Sequence, residues 1–274
     1  MYSCLSFLTD YGTSDGFVAS CHGQFLRHAP DTRIVDITHQ VPPGDIRRGA
    51  AILADTVGAL PPAVHVAVVD PGVGTHRRSI AVRAGEHTLV GPDNGLLLWA
   101  ATELGRAVEA RELNAEQYWR FPVSMTFHGR DIYAPVAARL AAGLPLAEAG
   151  TAVDVADLIQ LPTLRRSVTG ERARGEVRTV DRFGNVQLSL HAGDLNLLDA
   201  PQGTLLEMHL SGQEATRHHI PVAATFASVP SHALLLLVDS SGYLALAANG
   251  ADARQQLGLR PGDQVELCHL GQRA

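Results

Sequence analysis

Residues 64–74 read VHVAVVDPGVG, a mostly apolar, valine-rich run interrupted only by His65 that passes straight into an aspartate, a proline and two glycines. A short continuous run of this kind suits a strand buried on both faces, and the Asp-Pro-Gly sequence ends it in a turn. Outward from this stretch, residues 5–8 and 33–36 on one side, and 79–82 and 88–90 on the other, are further β-rich runs. Residues 17–29 and 45–60 carry apolar side chains at helical spacing, the second segment opening after Pro42-Pro43-Gly44 and closing before Pro61-Pro62. The order β-α-β-α-β predicts a parallel sheet covered by helices. Residues 94–104 and 131–142 read as two more helices, the latter stopped by Gly143 and Pro145.

Residues 163–175 are basic and turn-prone, and beyond them the pattern changes. Residues 176–180, 186–190, 205–210, 234–238, 243–247 and 264–267 are strand-like with little helix between them, apart from a short helix expected over 251–257 ahead of Gly258 and Pro261-Gly262. The expected fold class is therefore α/β, with a mostly parallel central sheet over residues 1–163. A small antiparallel sheet or barrel follows over 164–274. There is no internal repeat and no low-complexity tract.

The chain has 274 residues, 46% of them hydrophobic and 18% charged, the make-up of a folded protein long enough for two domains. Its 22 Lys and Arg are scattered and outnumbered by 28 Asp and Glu, a formal charge of -6, so neither nucleic acid nor an anionic membrane is an expected partner. The longest apolar run, residues 233–238, falls far short of the roughly 20 residues that cross a bilayer, and a cytoplasmic location is expected. Cys4, Cys21 and Cys268 are odd in number and widely spaced, which fits buried reduced thiols rather than disulfides or a zinc site.

In an open parallel sheet, the loops at the carboxyl ends of the strands meet at a crevice where polar groups converge without breaking the core. Three such loops are unusually well supplied: Thr9-Asp10-Tyr11-Gly12, Asp70-Pro71-Gly72-Val73-Gly74 and Gly91-Pro92-Asp93-Asn94-Gly95. Asp10 reads either as a turn cap or as a carboxylate for a ribose diol, and Asp15 either as a helix-start residue or as part of the same site. Asp70 and Arg77 suit a charged pair at the crevice or one at the surface, with Arg78 as the more structural neighbour, although spacing does not separate the two arginines. Gly72-Val73-Gly74 is only half of a dinucleotide-binding glycine pattern. His128 stands in a polar segment, residues 124–131, just ahead of an expected helix, and is either structural or catalytic. No HxxxH or HExxH spacing occurs, and His218-His219 point to opposite sides of a strand, so no metal ligands are expected. Residues 181–185 read equally as a hairpin turn and as a ligand-binding loop.

Taken together, these motifs identify a family resemblance. Thr9-Asp10-Tyr11-Gly12-Thr13 with Asp15, Val69 to Gly74 with Arg77, Gly91 to Gly95, Thr126 to Asp131, Asp181 with Phe183-Gly184-Asn185, and Ser240 with Gly242-Tyr243 resemble the S-adenosyl-L-methionine hydroxide adenosyltransferases, relatives of the fluorinases and chlorinases. The resemblance spans nearly the whole chain and implies an N-terminal α/β/α domain, a C-terminal antiparallel β-barrel and a homotrimer with sites at subunit interfaces. It implies hydrolysis of S-adenosyl-L-methionine to adenosine and L-methionine, without metal or other cofactor. Carried over by motif, Asp70, Arg77 and His128 form the water-activating set, Asp10 holds the ribose hydroxyls, Asp181, Asn185 and Ser240 hold the methionine end, and Asp15 and Tyr243 are further substrate-binding residues. Phe226 and Asn249 are placed near the adenine.

The halogenating relatives have other residues where Asp70, Arg77 and His128 stand, and the fluorinase carries an extra loop where this chain crosses by a short Arg83-Ala84-Gly85-Glu86 turn. The resemblance is thus to the hydroxide branch. Two other readings stay open on the residues alone. One is a metal-dependent nucleotide phosphoesterase with Asp10, Asp70, Asp93 and His128 as ligands, and the other is a non-catalytic sensor of adenosine or S-adenosyl-L-methionine.

Overall fold

A computed structural model describes residues 1–210 and 217–270. By internal contacts the chain divides into Met1–Leu161 and Pro162–Ala274. In the first unit the elements run β1 (Cys4–Thr9), α1 (Phe17–His28), β2 (Arg33–Thr38), α2 (Ile46–Val57), β3 (Ala63–Val68), β4 (Ser79–Ala84), β5 (His87–Pro92), α3 (Leu98–Glu103), β6 (Ala107–Glu112), α4 (Ala134–Ala141) and β7 (Thr151–Val153). They build one seven-stranded sheet in the order β2-β1-β3-β5-β4-β6-β7. Pairing is parallel from β2 to β5, as the strand-helix alternation requires, and antiparallel from β5 to β7.

Side chains alternate across the sheet with period two, and each face has its own core. Leu5, Phe7, Val64 and Val66 pack with α1 and α4 on one side. Leu8, Ala67, Val69, Ile80 and Val82 pack with α2 and α3 on the other. β1 and β3 are buried along their whole length, which is why both read as apolar runs.

The sequence reading departs from this unit in three places. Residues 94–97 are not helical, because Asn94 spends its amide on the Val69 carbonyl and its oxygen on the Leu96 N–H, and helix starts only at Leu98. The expected helix over 131–142 is entered through a π-helical turn, Gly129–Tyr133. The strands β6 and β7 were not expected at all. β6 carries Glu109 between Arg83 of β4 and Arg111, so its charges serve an outer strand and hide the usual apolar alternation.

The second unit contains β8 (Arg166–Val168), β9 (Arg172–Val180), β10 (Val186–His191), α5 (Ala192–Leu197), β11 (Leu205–Leu210), β12 (Arg217–Pro221), β13 (Leu234–Val238), β14 (Tyr243–Ala248), α6 (Ala253–Leu257) and β15 (Gln264–His269). All its ladders are antiparallel, in the order β12-β11-β15-β9-β10-β14-β13 with β8 beside β9. A bridge from Val222, just past β12, to Leu236 of β13 joins the two ends of that path, making the sheet nearly barrel-shaped. Residues 163–175 are not simply the turn-prone connector expected: they hold β8 and the start of β9. Arg172 and Arg174 both pair with Glu266 across the ladder to β15, so the basic residues are cross-strand partners. α5 was also unexpected, and it starts at a capping box in which the Asp194 carboxylate accepts from the His191 backbone N–H.

Candidate active site

The three strand-end loops behave differently once folded. A cavity of 320 Å³ opens at the carboxyl ends of β1 and β3, lined by Asp10, Tyr11, Gly44, Asp70, Thr126 and His128 among others. Asp70 leaves the end of β3 and is 5% exposed at its side chain. Arg77, just ahead of β4, grips it with two parallel hydrogen bonds, Nε to Oδ1 at 2.9 Å and an Nη to Oδ2 at 2.6 Å. Such a fork fixes both partners in one plane. The same Nη reaches His128 Nδ1 at 2.8 Å, and the other donates to Ser79 Oγ at 3.0 Å.

Because a guanidinium only donates, His128 Nδ1 is an acceptor here, and the neutral ring carries its proton on Nε2. Burial lowers the imidazole below its ordinary range, and the neighbouring Arg77 charge adds to that. His128 is therefore neutral near pH 7. Behind the cluster lies Tyr133, fully buried, with its hydroxyl 3.4 Å from Asp70 Oδ2 and 3.3 Å from Ser79 Oγ, and its ring 5.6 Å from the Arg77 guanidinium carbon. Burial pushes this phenol far above its usual range, so it remains a donor. Tyr133 was not among the residues singled out from the sequence. Its only signal is its place three residues after Arg130.

The loop bearing His128 is held from outside the pocket. Asp131 is wholly buried, and although burial opposes its charge, hydrogen bonds from Arg130, the Ser124 N–H and Arg120 keep its pKa below the usual value. Two glycines permit the close approach of backbone that forms the wall. A Cβ on Gly74, where φ is +79°, would lie 2.4 Å from the Met125 carbonyl oxygen, and one on Gly129 would lie 2.1 Å from the Tyr11 hydroxyl.

Asp10 lines the cavity and accepts from the Gly44 N–H at 2.8 Å through Oδ2. Asp15 is exposed in the loop before α1 and is not part of the lining. Asp93 does not reach the cavity: it is 2% exposed, with Oδ2 held by Arg78 and Oδ1 by the Ile159 N–H. The four ligands of the phosphoesterase reading do not converge, and a guanidinium sits among the three that do. A larger cavity of 550 Å³ near Tyr2, Arg83, Glu86 and Leu146 lies toward the amino ends of β1 and β3 and assembles no comparable set, so chemistry rather than size selects the site.

In the second unit, residues 181–185 form the hairpin turn between β9 and β10. Asp181 organises it, accepting from the Phe183 and Asn185 N–H groups and, at 2.6 Å, from the Asn185 side chain. Ser240 is exposed in the β13–β14 turn, where Asp239 accepts from the Ser241 and Tyr243 N–H groups and from Gln187. Tyr243 begins β14, with its ring stacked at a tilt 4.3 Å from His191 and lying 4.5 Å from the guanidinium carbon of Arg178. Arg178 is a strand arginine only 2% exposed and is hydrogen-bonded to Gln187. Neither it nor Asp239 stood out in the sequence. Asn249 donates to the Val229 carbonyl, and Phe226 is 45% exposed in a single helical turn.

Residues 5–150 match the model of the SAM hydroxide adenosyltransferase N-terminal domain and residues 175–266 that of the C-terminal domain. The chain belongs to this family. It is 52% identical over 263 residues to a protein of Salinispora arenicola named (R)-S-adenosyl-L-methionine hydrolase, covering 96% of this chain and 97% of that one. It is 30% identical to a protein of Nocardia brasiliensis named fluorinase, covering 96% of each. A crystal structure of an uncharacterized conserved protein from Thermotoga maritima superposes with a TM-score of 0.89 at 34% identity, covering 96% of this chain and all of that one. Similarity is thus greater to the hydrolase than to the fluorinase. No helix among the described residues is long and apolar enough to cross a membrane.

Proposed function

We propose that this protein hydrolyses S-adenosyl-L-methionine to adenosine and L-methionine, with Asp70, Arg77 and His128 activating water. The observation that carries the reading is the buried Asp70–Arg77–His128 cluster at the base of a cavity whose other wall is Asp10. A sulfonium is already an activated leaving group, so its departure as a neutral thioether needs no acid. What the reaction lacks is a nucleophile that is desolvated, aimed and relieved of a proton. The water oxygen bonds to C5′ as the C5′–S bond breaks, the bonding pair stays on sulfur, and the released proton passes to a protein base and on to solvent.

The hydrogen-bond directions divide the work. With Nδ1 facing an obligate donor, His128 offers only Nε2–H to the cavity, so it orients the water by donating to it. Asp70, which keeps one lone pair on Oδ1 beside those taken by Arg77 and Tyr133, is the base. Arg77 favours hydroxide character and holds the carboxylate in position. Asp10 takes the ribose hydroxyls. Asp181, Asn185, Ser240 and Tyr243 serve the methionine end, with Phe226 and Asn249 near adenine and Asp15 on the ribose side. A homotrimer is part of the same proposal and is tested by light scattering.

The deciding experiment supplies S-adenosyl-L-methionine in isotopically labelled water. The label is expected at the adenosine 5′-oxygen, with methionine released in equal amount and no effect of chelator. Unlabelled adenosine, or no turnover, rejects the reading. Calorimetry on Asp181→Ala sharpens it, since adenosine binding should survive.

A further inference from the structure

α1, β2 and the turn after β2 bring three donor side chains together beside the proposed active site. His22 Nε2 lies 2.9 Å and His39 Nε2 3.2 Å from the same atom, Asp36 Oδ1, and the donor atoms of all three residues fall within 4.8 Å of one another. Ligand atoms around a tetrahedral cation with bonds of about 2.0–2.1 Å are separated by roughly 3.3 Å; the 3.2 Å spacing is close to that, and the 2.9 Å one, a direct His22–Asp36 hydrogen bond, would open slightly to admit an ion.

His39 supplies a second, independent observation. Its side chain is 5% exposed, yet Nε2 makes no hydrogen bond: despite its nearness to Asp36, it is the one such buried side-chain nitrogen or oxygen among the described residues. Buried polar atoms are ordinarily paired, and an imidazole nitrogen that lies 3.2 Å from a carboxylate oxygen without forming a hydrogen bond to it is a lone pair or N–H without its partner. The other ring nitrogen, Nδ1, is fixed by Thr9 Oγ1 at 2.9 Å, and that hydroxyl in turn accepts from the Tyr11 N–H at 3.2 Å. Metal-binding imidazoles are held through their second nitrogen in the same manner. The Phe7 ring, 5.0 Å from His39 and 6.0 Å from His22, packs beside both imidazoles.

We propose that His22, Asp36 and His39 form a three-ligand site for a divalent first-row cation of the zinc class, its fourth position open to water. Two imidazoles and one carboxylate suit zinc, cobalt or nickel better than calcium or magnesium. The ligands come from different elements, which is why no short histidine spacing announces them. A second cluster, Glu207, His209 and Cys268, is less suitable because the Arg217 guanidinium lies 3.1 Å from the Glu207 carboxylate and opposes a cation. The His39 carbonyl accepts from the Gly12 N–H at 2.8 Å, so a bound ion would brace the loop that carries Asp10. This role is structural and independent of the reaction proposed above.

Zinc binding to the full-length, untagged protein, stripped with chelator and dialysed, tests this by calorimetry, with cobalt absorption as a probe of geometry. One ion per chain is expected, with a tetrahedral or five-coordinate cobalt spectrum and a thermal midpoint that rises with zinc. His22→Ala and Asp36→Asn should each weaken binding by at least about tenfold, as even outer-shell losses do. His22 is partly exposed, so its variant should fold even where His39→Ala does not. Absence of stoichiometric binding, binding undiminished in His22→Ala, or loss only in Glu207→Gln would overturn the site.

Discussion

Arg77 and Arg78 are neighbours in sequence, and each is hydrogen-bonded to a different aspartate from a strand-end loop. Arg77 and Asp70 share their contacts with His128 and Tyr133 beside a cavity. Arg78 and Asp93 are closed off by the Asp157 carbonyl and the Ile159 N–H, tying the end of the first unit to the loop after β5. The residue types are the same, and the difference lies in what remains unfilled. Both carboxylates have each oxygen hydrogen-bonded within the chain, but Asp70 also borders space in which a reactant can stand, whereas Asp93 does not line that cavity. The two arginines stand in the loop just ahead of β4, and the pairing of each follows from the strand-end aspartate it meets there.

The sharpest way to break this contrast is to neutralise each aspartate in turn. Asp70→Asn should lower turnover of S-adenosyl-L-methionine by about 10²- to 10⁴-fold, the usual contribution of a positioned base, while substrate affinity changes little. Asp93→Asn should leave turnover nearly intact and lower the thermal midpoint instead. Equal losses of activity in steady-state assays of the two variants would erase the distinction.

Acidification probes the same cluster through His128. Its folded-state pKa is depressed by burial and by Arg77, so the neutral ring persists until the pH falls below its ordinary value of 6.5. Protonation would place an N–H against the Arg77 donor. Turnover should be level from pH 8 to about 6.5 and decline below that, and the decline should vanish or shift in His128→Gln. Stability has the same sign, with the His128 contribution present above 6.5 and lost as the pH falls. An acid limb centred above 6.5 would contradict the hydrogen-bond directions assigned here.

Smaller effects distinguish support from chemistry. Arg78→Ala strands the buried Asp93 carboxylate and should cost about 1–3 kcal/mol in denaturant unfolding, with turnover changed only a few-fold. Tyr133→Phe removes one long hydrogen bond to Asp70 and one to Ser79, and should cost about 1 kcal/mol of stability with a modest fall in kcat and an unchanged KM. A fall in kcat as large as that of Asp70→Asn would make Tyr133 more than a support.

The parallel half of the sheet was legible because β1 and β3 are predominantly apolar and end in Gly- and Asp-rich turns. The same loops marked Asp10 and Asp70. β6 was hidden because an outer strand carries Glu109 and Arg111 for its neighbours rather than an apolar face. Tyr133 was hidden for a related reason: a buried tyrosine in a helical segment looks like core, and only its hydroxyl shows otherwise. Asp93 follows a strand and precedes an Asn-Gly turn much as Asp70 precedes its Pro-Gly turn, so it entered the phosphoesterase reading beside Asp70. Which one meets a cavity depends on loops that arrive from residues 124–129 and 157–159, far away along the chain. The ambiguity at residues 181–185 resolves locally into a turn built on Asp181, without removing its proposed role toward substrate.

The contacts at Gly74 and Gly129 have a wider implication for how this pocket can change. At Gly129, which lines the cavity, main chain meets the Tyr11 phenol with no slack, and at Gly74 it meets the Met125 carbonyl, so neither position takes a side chain unless a neighbour moves. A side chain introduced at either place would have to displace one of the loops that meet there, so such changes should disturb the pocket as a unit instead of retuning it.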